Sequence, residues 1–386
     1  MTLRGAGHAA KSWVIGLFST ILIYQILERR GSMRLRSSVV FLLLAFLLLS
    51  GTAFSQTFTG LFDGYYAFNF NKPTNQFNTE RAFDINHQMF SLNYAELSIE
   101  QKGKPVGYRF DLGFGDAASI VNSTEPAGVI YQHVQQAYLT VNRDKMSIDM
   151  GKFVTPLGAE VIETKDNWNY SRGLLFTYAV PFYHFGVRAT YAASDKATVA
   201  AYVVNGWNNV RDNNKGKSLG LMATIKPIAK LTMTENYLVG NESPVKDNRR
   251  HMFDSIATYE QSKMFSIMGN FDYGFDSSFG VRRRWIGGAG YIKYSPNGQD
   301  TGVKILPRYE WFHDPNALSG TAQVAQEGTV TIQYVSKDSG TFWTEYRRDW
   351  SDQRVFSLNK KSGNVPRFNQ DTLEFGYTYA WTHESK

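Results

Sequence analysis

Charged residues of both signs recur two positions apart within segments that are otherwise apolar or aromatic. Arg109 and Asp111 flank Phe110, Arg308 and Glu310 flank Tyr309, and Glu345, Arg347 and Asp349 alternate with Tyr346 and Arg348. Asp63, Asp149 and Arg188 hold comparable positions in three further segments. Residues two apart share one face of a β-strand. Charges there cannot face lipid cheaply, at roughly 2–4 kcal/mol for Arg or Lys near the midplane. They must face water or each other. Two chemistries fit: a salt-bridged wall that stiffens the structure, or a transverse field that orients permeating solutes. A second group lies in the segment from Val154 to Pro181, which holds Glu160, Glu163, Lys165, Asp166, Trp168, Tyr170 and Arg172. A loop of that length is the natural one to fold into a lumen and narrow it. The alternative is an exterior loop whose charges are solvated.

Catalytic chemistry finds little support. A hydrolase needs a histidine near a nucleophile or carboxylate. Beyond residue 55 the histidines are His87, His133, His184, His251, His313 and His383. Of these, His184 falls on the expected inner phase, yet no G-x-S-x-G or other nucleophile signature accompanies it. Asp-rich spacing of EF-hand type is absent, so neither a metal nor a cofactor is expected.

The elements that carry these charges read as strands. Residues 57–70, TFTGLFDGYYAFNF, place an aromatic or glycine at every even position from Phe58 to Phe70. A period of two means a strand with unlike faces. The odd face, with Asp63 and Asn69, is expected to meet water and the even face lipid. Sixteen such segments are expected, near 57–70, 89–101, 106–116, 133–142, 146–153, 183–193, 197–205, 217–226, 231–240, 250–260, 264–274, 285–295, 301–313, 327–336, 341–350 and 371–381. Those at 250–260 and 285–295 are ambiguous in phase. Short turns alternate with long polar loops at 71–88, 117–132, 154–182, 206–216, 241–249, 275–284, 314–326 and 351–370. Transmembrane β-barrels have this asymmetry between rims, and closure spares them unpaired edges in lipid. The expected fold is therefore all-β: an antiparallel outer-membrane barrel of about sixteen strands, with short periplasmic turns and long extracellular loops. Sixteen strands leave an aqueous lumen, where eight would be filled. Tyr66, Phe68, Phe70, Tyr379 and Trp381 suit the interfacial girdles.

Residues 33–55, MRLRSSVVFLLLAFLLLSGTAFS, read as a secretory signal: Arg34 and Arg36, an apolar stretch from Val39 to Leu49, and small Ala53 and Ser55 before Gln56. Residues 1–32 carry another apolar stretch, Trp13 to Leu27. They read as an upstream extension with Met33 the true start, or as part of an unusually long signal. The barrel is expected over 56–386. Residues 1–55 carry six Lys/Arg and one acid, a net +5 of the formal +7, which leaves +2 for the remainder. The basic balance thus lends no support to nucleic-acid binding. The lack of cysteine agrees with an oxidising export compartment.

The run GKFVTPLGAEVIETKDNWNYSRGLLFTYAVPFYHFGVR, Gly151 to Arg188, resembles the most characteristic segment of the OmpL-like outer-membrane β-barrel porin family, porin-2 type. So do YRFDLGFGD at Tyr108 to Asp116, VNGWN at Val204 to Asn208, RYEWFHDP at Arg308 to Pro315 and TEYRRDWS at Thr344 to Ser351. The resemblance covers most of 57–381. It implies an outer-membrane barrel for passage of small solutes, and it offers no catalytic residues to carry over. One departure is the tail: Trp381 is followed by Thr382 to Lys386, where many such barrels end on an aromatic. The expected partners are outer-membrane lipid and lipopolysaccharide, the barrel-assembly machinery, and small solutes or ions. A homo-oligomer is left open. Three other readings stand beside a passive porin: an outer-membrane hydrolase, a structural or adhesion barrel without a conducting pore, and an energised receptor. The receptor would need 22 strands and a plug, for which no segment is available.

Overall fold

The computed structural model describes residues 55–385 apart from 127, 129, 243–248, 278–280 and 361–362. The signal segment and the upstream extension therefore lie outside the described residues, save Ser55.

Alternation of large apolar with polar or small residues produces sixteen long strands. They are β1 (Thr57–Asn69), β2 (Phe90–Gln101), β3 (Val106–Phe114), β4 (Val134–Arg143), β5 (Met146–Val154), β6 (Tyr183–Ser194), β7 (Ala197–Val204), β8 (Ser218–Ile228), β9 (Leu231–Asn241), β10 (Arg249–Glu260), β11 (Phe265–Asp276), β12 (Arg283–Tyr294), β13 (Gly302–Asp314), β14 (Gln323–Val335), β15 (Thr341–Ser351) and β18 (Asn369–Glu384). Each pairs antiparallel with its neighbours, and β1 pairs with β18 from Thr57↔Glu384 to Asn69↔Thr372, closing the barrel. Closure satisfies every strand edge, as a spanning sheet requires. A separate hairpin of β16 (Phe356–Lys360) and β17 (Gly363–Arg367) fills the last long connection, which the sequence pattern reads as plain loop. β14 also begins four residues before the expected position, at Gln323. Two short helices, α1 (Asp116–Val121) and α2 (Leu174–Tyr178), lie in the second and third long loops.

In β1 the odd residues Leu61, Asp63, Tyr65, Ala67 and Asn69 are buried on the inner face, while Phe62, and Phe70 just past the strand end, are exposed. Bulges reset the register between Asp63 and Gly64 against β2 and between Asp111 and Leu112 against β4. The interior is more filled than sixteen strands require. Three apolar clusters occupy it, each built where the third long loop meets the wall.

Candidate functional site

After Val154 the chain turns into the barrel and returns at Tyr183. The neck of this loop is closed by the Thr155 N–H donating to the Phe182 carbonyl at 3.0 Å, and by the Phe182 N–H donating to Asn208 Oδ1 at 2.6 Å. Its apolar residues decide which way it faces. Leu157, Leu174, Leu175, Ala179 and Val180 pack on Tyr202, Val204, Leu238, Met252, Trp285 and Phe312 of the inner wall. Ile162 and Phe176 pack on Leu61, Tyr94 and Phe83. Burying that surface inside the barrel removes it from water, worth about 25 cal/mol per Å².

Polar groups then fix the loop's position against β1 and β13–β15. The Tyr170 hydroxyl donates to Asp63 Oδ1 at 2.6 Å, and the Thr164 hydroxyl to Asp63 Oδ2 at 2.5 Å. The Tyr170 and Ser171 N–H groups donate to Glu345, the first at 2.8 Å. Asn169 donates to the Leu306 carbonyl at 2.7 Å. Arg308 sits at the centre. Its guanidinium pairs with Glu160 of the loop at 2.6 Å and Glu327 of β14 at 2.7 Å, and donates to the Ser171 carbonyl at 2.6 Å. Glu160 in turn accepts the Gly173 N–H at 2.7 Å. Glu310 accepts the Leu175 N–H at 3.1 Å and the Tyr291 hydroxyl at 2.9 Å. Arg347 donates to the Arg172 carbonyl at 2.6 Å and pairs with Asp349 at 2.7 Å, and Asp349 also holds Arg81 of the first loop at 2.9 Å. Arg172 folds back on its own loop, donating to the carbonyls of Val161, Tyr170 and Ile162. All these charges are buried and nearly every one is answered, which is the condition under which a buried polar network holds its geometry.

On the opposite arc, β2–β6, the wall stays open. Arg109 pairs with Asp111 at 2.8 Å and Arg188 with Asp149 at 2.8 Å, each arginine side chain partly exposed at 30% and 21%. Between this arc and the loop lies a cavity of about 750 Å³. Arg109, Arg188, Glu160, Glu163, Lys165 and Asp166 line it, together with Glu96 and Glu100. Glu163, in the loop, has its carboxyl pKa raised, first by burial and then by the nearby Asp111 and Asp166; Lys165 opposes the shift. Lys165 and Asp166 form an ion pair with each other.

A family model for beta-barrel porin-2, OmpL-like, matches residues 55–380. The chain belongs to the OmpL-like beta-barrel porin-2 family. Solved structures of low identity share the fold. The anion-selective porin from Comamonas acidovorans superposes with a TM-score of 0.59 at 9% identity, over 85% of this chain and 100% of that one. The outer membrane channel DcaP of Acinetobacter baumannii gives 0.58 at 12%, over 85% and 99%. OmpT of Vibrio cholerae, an outer membrane protein in a trimer form, gives 0.58 at 12%, also over 85% and 99%. No curated protein matches the chain in sequence.

Within this porin-2 barrel the fifteen charged residues singled out from the sequence divide in two. Arg109, Glu160, Glu163, Lys165, Asp166 and Arg188 line the cavity. Asp63, Asp111, Asp149, Arg172, Arg308, Glu310, Glu345, Arg347 and Asp349 are buried in pairs and loop anchors rather than on an open wall. Four further charges matter that the strand pattern passed over: Arg81 and Glu96, Glu327 in the early part of β14, and Glu374 of β18. A lumen-phase position was the available signal for Glu96, Glu327 and Glu374; Arg81 lies in a loop and gave none. His184 is buried, with Nδ1 at 3.0 Å from the Gly206 carbonyl and Nε2 at 3.0 Å from the Thr155 hydroxyl. A carbonyl, not a carboxylate, stands behind its ring. Among the described residues no group of three His, Cys, Asp or Glu could hold a metal ion.

Proposed function

We propose that this barrel is a passive outer-membrane channel for small hydrophilic solutes or ions. The path runs through the cavity between the 154–182 loop and the β2–β6 arc. The observation that carries this reading is the charged, roughly 750 Å³ space inside a closed sixteen-strand wall, bounded on one side by an inserted loop. Solutes crossing there meet Arg109 and Arg188 on the wall and Glu163 and Asp166 on the loop, an arrangement that orients dipolar solutes. Export directed by residues 33–55, contact with lipopolysaccharide, insertion by the barrel-assembly machinery and assembly into a homo-oligomer belong to the same proposal. The His184 environment supports a channel over a hydrolase, because its ring nitrogens serve a carbonyl and a threonine.

A second reading is a structural barrel without a conducting pore. The apolar clusters that fill part of the lumen favour it. Planar-bilayer recording on the refolded protein separates the two. The channel reading expects discrete conductance steps, larger after deletion of Glu163 to Arg172. A folded, heat-modifiable protein that never conducts, with or without the deletion, would establish the structural reading instead.

A further inference from the structure

On the outer face of the barrel, at the long-loop rim, β10, β11 and β12 carry a row of cross-strand neighbours. His251 pairs with Phe275, and Phe275 with Arg284. The His251 ring stacks on Phe275 with centroids 4.5 Å apart and 8° between planes, and its Nδ1 lies 2.6 Å from the Tyr237 hydroxyl. Arg249 stands two residues from His251 on the same face. Arg282, two residues before Arg284, lays its guanidinium over the Phe275 ring at 4.5 Å. All three arginines are exposed.

Their sequence neighbours behave differently. Arg250 and Arg283 point to the lumen side and both reach Asp276, at 3.4 and 3.3 Å. Elsewhere near this rim Arg348 pairs with Asp371 at 3.4 Å, and Lys217 pairs with Asp212. Among the described residues, Arg249, Arg282 and Arg284 form no ion pair. Three exposed guanidinium groups on the outward face, set on an aromatic girdle, are poorly placed beside acyl chains. They are well placed beside phosphate, which arginine forks bind in two-pronged, charge-assisted contacts. The outer leaflet of a Gram-negative outer membrane is built of phosphorylated glycolipid, and its phosphates lie at the level of the long-loop rim.

We propose that Arg249, Arg282 and Arg284, organised by Phe275 and His251, form a binding site for the phosphate groups of an outer-leaflet glycolipid. This rests on the outer-membrane placement of the barrel with its long loops outside, and not on whether the lumen conducts. The test measures binding of doubly phosphorylated lipid A to the detergent-solubilised, refolded barrel by native mass spectrometry. The same lipid after phosphatase treatment serves as the second probe. The Arg249→Gln/Arg282→Gln/Arg284→Gln variant is expected to bind lipid A at least tenfold more weakly, while Arg348→Gln binds it as the unaltered protein does. Phosphatase-treated lipid should bind the unaltered protein about as weakly as lipid A binds the triple variant. Should the triple variant not refold, Arg282→Gln alone is expected to weaken binding in the same direction. Equal binding by the variant, equal binding of the treated lipid, or full displacement by millimolar inorganic phosphate would each overturn the proposal. Bilayer conductance of the triple variant should match the unaltered protein, and a barrel that binds lipid A yet never conducts would sink the channel reading alone.

Discussion

Arg308 is the point at which the inserted loop can be cut loose with one substitution. Its side chain has no exposed surface, and it answers Glu160 and Glu327 at 2.6 and 2.7 Å. In Arg308→Met the buried Glu160 carboxylate loses its counter-charge, Glu327 keeps only the longer contact to Arg347 at 3.5 Å, and the Ser171 carbonyl is left without its donor. Removing one partner of a buried ion pair costs about 3–5 kcal/mol. Glu160 and Ser171 belong to the loop, whereas Glu327 belongs to the wall, so the substitution chiefly weakens the hold of the wall on the loop. The strand ladder itself keeps every backbone hydrogen bond, and the barrel should still refold. Taking about 3 kcal/mol for the docked loop, and tenfold for each 1.4 kcal/mol, the ratio of undocked to docked loop rises roughly 100-fold. The assay is planar-bilayer recording at fixed salt, counting excursions to a higher conductance. The Glu163 to Arg172 deletion sets the size of a fully opened step. Arg308→Lys keeps the charge without the fork and should fall between. The double variant Arg308→Met/Glu160→Gln should recover part of the docking, because the orphaned charge on the loop is gone. If Arg308→Met folds, shows normal heat-modifiability and conducts without added excursions, the loop is not retained by this network.

Two further outcomes follow from the same geometry. A Cβ at Gly376 would lie 2.3 Å from the Tyr170 ring, so Gly376→Val should expel Tyr170 from its slot between Tyr65 and Trp343, break its hydrogen bond to Asp63 and raise conductance; an unchanged channel would show that the slot does not locate the loop. The Glu163 carboxyl is raised above its ordinary 4.5, chiefly by burial, so it gains a proton earlier as pH falls. Ionising it in the folded state is the unfavourable step, so its contribution to stability declines as pH rises from the ordinary value through the raised one. Cation preference, read as the reversal potential in a salt gradient, should weaken on acidification at a pH above that of a free glutamate; Glu163→Gln should flatten this dependence, and a Gln variant with the original pH profile would remove Glu163 from the path.

The wall was legible because lipid imposes one rule on every strand. In β1 that rule is visible residue by residue: Phe62 is 47% exposed and Asp63 beside it has no exposure. The rule weakens wherever the inside is also apolar. β10 and β12 are ambiguous in phase because their lumen faces carry Met252, Ile256, Trp285 and Tyr291, while their lipid faces carry Ser255, Ala257, Gly288 and Gly290. Met252 and Trp285 belong to the cluster that receives the inserted loop. The early part of β14 escaped for a related reason: only Val324 marks its outward face before Gly328, with Gln326 between them bonded to the Tyr309 hydroxyl at 2.6 Å. The hairpin β16–β17 has strands of only five residues, too short for a period of two to stand out.

What periodicity could not decide is whether a charge on the lumen phase meets water or a loop. Arg109-x-Asp111 and Arg308-x-Glu310 have the same spacing, and the first borders the cavity while the second is sealed. The difference lies in what arrives opposite them. A glycine inside a strand weakens it and persists where something must approach closely. Gly287 on β12 and Gly376 on β18 are such positions on the lumen phase: a Cβ would lie 2.3 Å from Leu175 at the first and 2.3 Å from Tyr170 at the second. Both visitors come from the 154–182 loop, and the strands between them in the wall, β13, β14 and β15, carry Arg308, Glu310, Glu327, Glu345 and Arg347. On the open arc the glycines Gly151 and Gly186 crowd the backbone of their own neighbouring strands instead. The buried charges are therefore bracketed by two slots cut for one loop, and the cavity lies along β1–β6 and the far end of β18, at Ala380 and Thr382, away from both slots. The loop's side of the lumen is thus set by the wall as much as by the loop, and moving a slot to the β2–β6 arc should move the passage with it.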